Sequence, residues 1–202
     1  MATKKYIISE SKLRTLIKEA IMETLACLGG EYNKRFRHLC HDVKAGDIEA
    51  IDTASIILSK YVPPRSVLIP IPSHTGESTY TLKLAKFIAK RSNAKVLNIL
   101  SSQPREKMYN LKMNGSDINK INLGFNVSPD NDGQIAQILS NARNIILIDN
   151  VVSSGVTYEQ AQKVIKEKYG VDAWMLSLGA IEKSPYDKGE KRVIRSTFPD
   201  KY

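Results

Sequence analysis

Cysteine is scarce in this chain, and its two copies, Cys27 and Cys40, exclude a disulfide framework as the source of stability. They also exclude a standard zinc spacing. His38, Cys40 and His41 sit close together, but neither Cys-x-x-Cys nor a His-x3-His pair completes the set. No uninterrupted apolar run approaches the roughly 18–20 residues of a membrane-spanning helix, so no membrane partner is expected. The apolar start at Tyr6-Ile7-Ile8 breaks at Ser9-Glu10, too soon for a cleaved signal, and a cytoplasmic location is the expectation. Gly-x-x-x-x-Gly-Lys-[Ser/Thr] and Gly-x-Gly-x-x-Gly are both missing, which removes the P-loop and the dinucleotide fingerprint. There is no internal repeat and no low-complexity tract.

Acidic charge is also in short supply. Thirty Lys and Arg stand against 21 Asp and Glu, a formal net charge of +9. Such a balance suits a polyanionic partner. The cations are spread from Lys4 to Lys201, however, and are not interleaved with aromatics as in RNA-binding signatures. Nucleic-acid binding is therefore allowed but not favoured. Attraction of a phosphorylated small molecule is the preferred reading.

The first sixty residues carry helical periodicity. Leu13, Leu16, Ile17, Ala20, Ile21, Leu25 and Leu28 recur at three- and four-residue spacing over residues 11–28, and Gly29-Gly30 ends the run. Tyr32, Phe36, Leu39 and Val43 mark one side of a second helix. Gly46-Asp47 opens a third through Ile48, Ile51, Ala54, Ile57 and Leu58, which Pro63-Pro64 forbids from continuing. Residues 1–62 thus read as a helical region packed on a core formed by residues 63–202.

From Ser66 strands alternate with helices. Strands are predicted over residues 67–71, 94–100, 144–148 and 172–178, and helices over 77–91, 130–141 and 157–169. Residues 101–129 form a polar connection longer than a compact domain normally leaves structureless, unless it hides a short hairpin at residues 123–127. This order predicts an α/β fold with a mostly parallel, Rossmann-like sheet.

In such sheets ligands bind beyond the carboxyl ends of the strands. Three loops there have suitable chemistry. In the first, the apolar run Ile145-Ile146-Leu147-Ile148 delivers Asp149 and Asn150, then Ser153-Ser154-Gly155-Val156-Thr157 leads into a helix. The first amides of that helix lack internal partners and, with the hydroxyls of Ser153, Ser154 and Thr157, suit a phosphomonoester. Asp149 and Asn150 suit ribose hydroxyls. In the second, Pro70-Ile71-Pro72-Ser73-His74-Thr75-Gly76 forms a stiff turn whose amides and imidazole can meet a pyrophosphate. The third, residues 101–124, holds Arg105, Lys107, Lys112 and Lys120, cations able to fold over the site and neutralise a leaving pyrophosphate.

The stretch at residues 144–157 resembles the phosphoribosyl diphosphate (PRPP) motif of type I phosphoribosyltransferases. Tyr32, Phe36-Arg37-His38-Leu39, Val43-Lys44-Ala45-Gly46-Asp47 and Leu68-Ile69-Pro70-Ile71-Pro72 are similar to the competence-protein ComF-like branch of that family. The resemblance covers roughly residues 32–178. It implies the type I phosphoribosyltransferase version of the Rossmann-like sheet, and transfer of ribose 5-phosphate from PRPP to an unidentified acceptor with release of pyrophosphate. Asp149, Asn150, Arg105 and Lys107 would act in catalysis. Ser153, Ser154, Gly155, Val156 and Thr157 would hold the 5′-phosphate, and Ser73, His74, Thr75 and Gly76 the pyrophosphate. Mg2+ would arrive bound to PRPP, with no direct protein ligand. A homodimer is left open.

Two departures stand out. Asn150 takes the place of a second acid, and Ser78-Thr79-Tyr80 stands near the place of an Arg-Gly-Phe-Asn run. The missing carboxylate makes a non-catalytic PRPP- or nucleotide-binding regulator the alternative, and returning an acid at position 150 is expected to keep or raise turnover. The acceptor would be chosen by residues beyond Leu178, Tyr186 and Phe198 among them, or by the N-terminal helices.

Overall fold

In the computed structural model the described residues are 37–117, 120–128, 132–152 and 155–180. The helix expected over residues 11–28, with Tyr32, Phe36, Tyr186 and Phe198, lies outside them. Gly46 and Asp47 turn the chain between α1 (Arg37–Ala45) and α2 (Ile48–Ser59). Gly46 is left-handed, at φ 86°, and the Asp47 side chain caps α2 by accepting the Ala50 N–H at 2.8 Å. After the prolines the chain enters β1 (Ser66–Pro70), every residue of which is buried. Then follow α3 (Thr79–Ser92), ended by left-handed Asn93, and β2 (Lys95–Val96). Next come β3 (Leu100–Ser102), α4 (Met108–Met113), β4 (Phe125–Val127) and α5 (Asp132–Asn141). The chain then runs through β5 (Asn144–Val152), α6 (Val156–Tyr169) and β6 (Trp174–Ala180).

The main sheet has the order β2-β1-β5-β6 with all pairs parallel, and β3 and β4 form a separate antiparallel ribbon. A strand covered on both faces needs apolar residues in both directions, as the run Ile145 to Ile148 supplies. Ile145 and Leu147 pack with Ile135 and Leu139 of α5, Ala161 and Ile165 of α6, and Leu100 and Phe125 of the ribbon. Ile146 and Ile148 pack with Cys40 and Val43 of α1, Ile51 and Leu58 of α2, and Leu84 and Ile88 of α3. Each fully buried aliphatic side chain contributes about 1.5–3 kcal/mol. The described part of the helical region, together with α3, is therefore one of the two layers that cover the sheet. No helix among the described residues is long and apolar enough to cross a membrane.

Two strands depart from the sequence reading. The strand expected over residues 94–100 is split: Val96 pairs with Leu68, whereas Leu100 leaves the sheet and pairs with Val127. The strand expected to end at Ile148 runs on to Val152, because β6 continues to pair with it as far as Ala180. The long connection contains α4 as well as the returning strand β4.

From β1 the chain crosses to β2 on one side, and from β5 to β6 on the other. The loops that follow β1 and β5 thus diverge, and a crevice opens between the two strand ends.

Candidate functional site

The crevice is set by unequal strand lengths. Ile71 donates its N–H to the Ile148 carbonyl at 3.0 Å, and past that bond the partner of β5 is β6. Asp149 and Asn150 are therefore carried beyond the end of β1 while remaining buried, at 9% and 7% exposure. One Asp149 oxygen, Oδ1, accepts the Asn150 N–H at 2.7 Å and faces the Tyr80 hydroxyl at 3.4 Å. The same hydroxyl stands 3.2 Å from Asn150 Oδ1. Asn150 Nδ2 donates to the Cys40 carbonyl at 3.2 Å, and the Cys40 thiol lies 3.8 Å from the Asn150 carbonyl.

Burial pushes the Asp149 carboxyl up to about 6, against the opposing pull of the Asn150 amide, Lys44, the Tyr80 hydroxyl and Arg105. Burial, and then Asp149, raise the Cys40 thiol to about 12, so it stays a neutral packing group. Tyr80 is held well above the usual phenol range, first by burial and then by Asp149, so its hydroxyl keeps its proton and can donate.

The turn after β1 is braced internally. Ser73 N–H donates to Glu77 O at 2.9 Å, Gly76 N–H to Ser73 O at 3.1 Å, and the Ser73 and Thr75 hydroxyls lie 2.7 Å apart. Ser78 and Thr81, at the start of α3, donate their hydroxyls to Pro70 O and Ile71 O at 3.1 and 2.7 Å. Gly76 has φ 97°, and a Cβ there would come within 2.5 Å of the Ser102 carbonyl oxygen. That crowding results from the next contact, in which Ser102 N–H donates to Gly76 O at 3.0 Å.

Arg105 N–H then donates to His74 O at 2.8 Å, so the basic arm after β3 lies along the turn. Arg105 is half-buried, and its Nε is buried without a hydrogen-bond partner. Burial lowers its guanidinium from the usual range, opposed by Asp149 and Tyr80 beside it. His74 is held below the usual imidazole range by burial first, then by Lys107, Lys44 and Arg105. Lys44 and Arg105 thus act on both Asp149 and His74, and Lys107 acts on His74.

On the other flank, left-handed Gly155 (φ 80°) starts α6. Gly155 and Thr157 share a small cleft with Asp149, Val151, Val152, Tyr158 and Met175. Val156 turns into the core. Ser153 and Ser154, expected to hold phosphate, lie outside the described residues.

Of the remaining sequence candidates, Lys120 pairs with Asp117 at 3.4 Å, and the Lys112 side chain lies outside what is described. The sequence assigns no role to Tyr80 or Lys44. Both lie in stretches quoted for the resemblance, and their positions were a further signal: Tyr80 is in the first turn of the helix after the turn at 73–76, and Lys44 is in the last turn of α1.

No protein-family model matches the chain, and no curated protein matches it. The resemblance to phosphoribosyltransferases therefore rests on the sequence motifs alone.

Among the described residues no group of three His, Cys, Asp or Glu side chains converges on one point. Asp149 stands among cations, and its neighbour offers an amide already bonded at both ends. These residues do not fit a divalent ion gripped by the protein.

Proposed function

We propose that the chain is a phosphoribosyltransferase that holds PRPP across the crevice between β1 and β5. Ionised Asp149 accepts the ribose hydroxyls, with Asn150 supporting it. The start of α6 at Gly155 and Thr157, with Ser153 and Ser154, takes the 5′-phosphate. The turn of Ser73, His74, Thr75 and Gly76 takes the pyrophosphate, with Arg105 and Lys107 closing over it. The C1–oxygen bond breaks, its electron pair leaves with pyrophosphate, and the acceptor's lone pair forms the new bond to C1 as the acceptor loses a proton. Positive charge developing on the ribose ring is stabilised by Asp149, and the charge on the leaving group by Arg105 and Lys107. The type I phosphoribosyltransferase version of the sheet belongs to this proposal.

The observation that carries the reading is the meeting of both loops at one crevice. Asp149 shares a cleft with Gly155 and Thr157, and within its electrostatic reach is Arg105, whose backbone is bonded to the turn at His74. Calorimetric titration with PRPP tests it: the full chain binds, and Asp149→Ala abolishes binding. Unchanged affinity in Asp149→Ala refutes the ribose assignment. Pyrophosphate release over a panel of bases tests turnover.

One observation favours the second reading, a non-catalytic regulator that binds PRPP or a nucleotide. The Asn150 amide is engaged with Cys40 and Tyr80, so the site presents one carboxylate to a cationic transition state. PRPP binding without pyrophosphate release over the panel is its signature.

A further inference from the structure

The Mg2+ expected to travel with PRPP would meet an environment built for anions. Position 150, which has no second acid, holds an amide whose Nδ2 donates to the Cys40 carbonyl and whose Oδ1 receives the Tyr80 hydroxyl. Of residues 149 and 150 only Asp149 carries a formal negative charge, and one of its oxygens already accepts the Asn150 N–H. A small divalent ion that sheds water reluctantly gains little from one partly engaged carboxylate.

The cations, by contrast, are in place. The backbone bond between Arg105 and His74 fastens residue 105 to the turn at 73–76, and its buried Nε has no hydrogen-bond partner. A planar fork with an unused donor is matched to phosphate oxygens, which it can take in pairs. Lys44, exposed at the end of α1, lies within electrostatic reach of both Asp149 and His74, and Lys107 within reach of His74. A divalent ion entering here would add to a cluster that is already positive, whereas a free diphosphate would neutralise it.

We propose that this site binds its diphosphate-bearing ligand free of divalent metal, with Arg105 and Lys44 as the counter-charges beside Asp149. The proposal rests on the PRPP reading above and adds the ionic form in which PRPP is taken. Lys44 then joins the site from α1, which makes that helix part of the ligand's surroundings as well as a cover for the sheet.

The test is calorimetric titration of the full chain with PRPP, once in EDTA and once in excess Mg2+. Affinity in EDTA is expected to equal that in Mg2+ within about threefold. Loss of a charge-assisted donor is expected to weaken EDTA binding about tenfold or more in Arg105→Gln. Lys44→Gln, at an exposed position, is expected to weaken EDTA binding about threefold at an unchanged melting temperature. Binding that appears only with Mg2+ overturns the proposal and leaves the PRPP reading standing. Binding in neither condition overturns both. Metal-free binding that neither substitution weakens removes Arg105 and Lys44 from the role.

Discussion

Asn150 donates its side-chain amide to the backbone carbonyl of Cys40 at 3.2 Å, joining β5 to α1 across 110 positions of sequence. An amide can donate this bond and a carboxylate cannot. The residue that looks like a lost acid is therefore a tie between the helical layer and the strand that carries Asp149.

Asn150→Asp is accordingly expected to weaken the fold, whatever it does to turnover. The change would set a carboxylate against the Cys40 carbonyl and beside buried Asp149. The loss is expected to be about 2–4 kcal/mol near neutral pH, smaller in acid where the new group is protonated. Urea unfolding at two pH values measures it. Equal stability at both, matching the parent chain, would remove the structural role of the amide.

Asp149 gives the fold a pH dependence of definite sign. Its carboxyl is raised in the folded chain to about 6, so folding favours the protonated form. That stabilisation is fully present below the unfolded value, near pH 4, and is lost as pH rises through about 6, a change of roughly 3 kcal/mol. Asp149→Asn should flatten this slope in chemical denaturation. Tyr80→Phe removes a donor that favours the charged form, so it should move the window upward. A downward movement would show that the hydroxyl at 3.4 Å does not act on Asp149.

Gly76→Ala should cost roughly 2–4 kcal/mol, because a left-handed backbone and a carbonyl oxygen 2.5 Å from the new Cβ act together. Gly115 supplies the control: its φ is 77°, but nothing lies within 4 Å of a Cβ placed there. Gly115→Ala should cost about 1 kcal/mol. Thermal melts of the two variants separate crowding from strain, and equal losses would mean that Ser102 moves aside freely.

Gln160 on α6 grips the returning end of the long connection with both ends of its amide. Its Nε2 donates to Ile121 O at 2.6 Å, and its Oε1 accepts the Leu123 N–H at 2.8 Å. Gln160→Leu should speed hydrogen exchange at Leu123 about tenfold or more while changing that of β1 and β5 little. Unaltered exchange at Leu123 would show that the ribbon alone holds the segment.

The sequence makes the sheet legible because β1 and β5 are buried on both faces and so must be apolar without a break. It makes Asp149 legible because a carboxylate after such a run has little structural reason to be there. Partner changes were not visible. Residues 94–100 read as one strand because the side-chain pattern of a strand does not record which neighbour it pairs with, and Leu100 changes sheets inside the run. The end of β5 was misplaced for a related reason: Asp149 and Asn150 look like a loop, yet β6 keeps pairing beside them. Tyr80 and Lys44 escaped because each is an ordinary helix residue until the packing of α3 and α1 brings it to the crevice.

The ribbon of β3 and β4 has a consequence for how this protein can vary. Residues 103–124 leave and return through that two-stranded stem, with Leu100 opposite Val127 and Ser102 opposite Phe125. The span between is thereby a cassette on a fixed graft point, whose closure cost grows only slowly as it lengthens. Its ends are not free to change, since Leu123 is buried in the core and Met108 and Ile121 pack against it. A longer or differently charged insert would therefore be taken up between Met108 and Ile121, leaving the four-stranded sheet and its core intact.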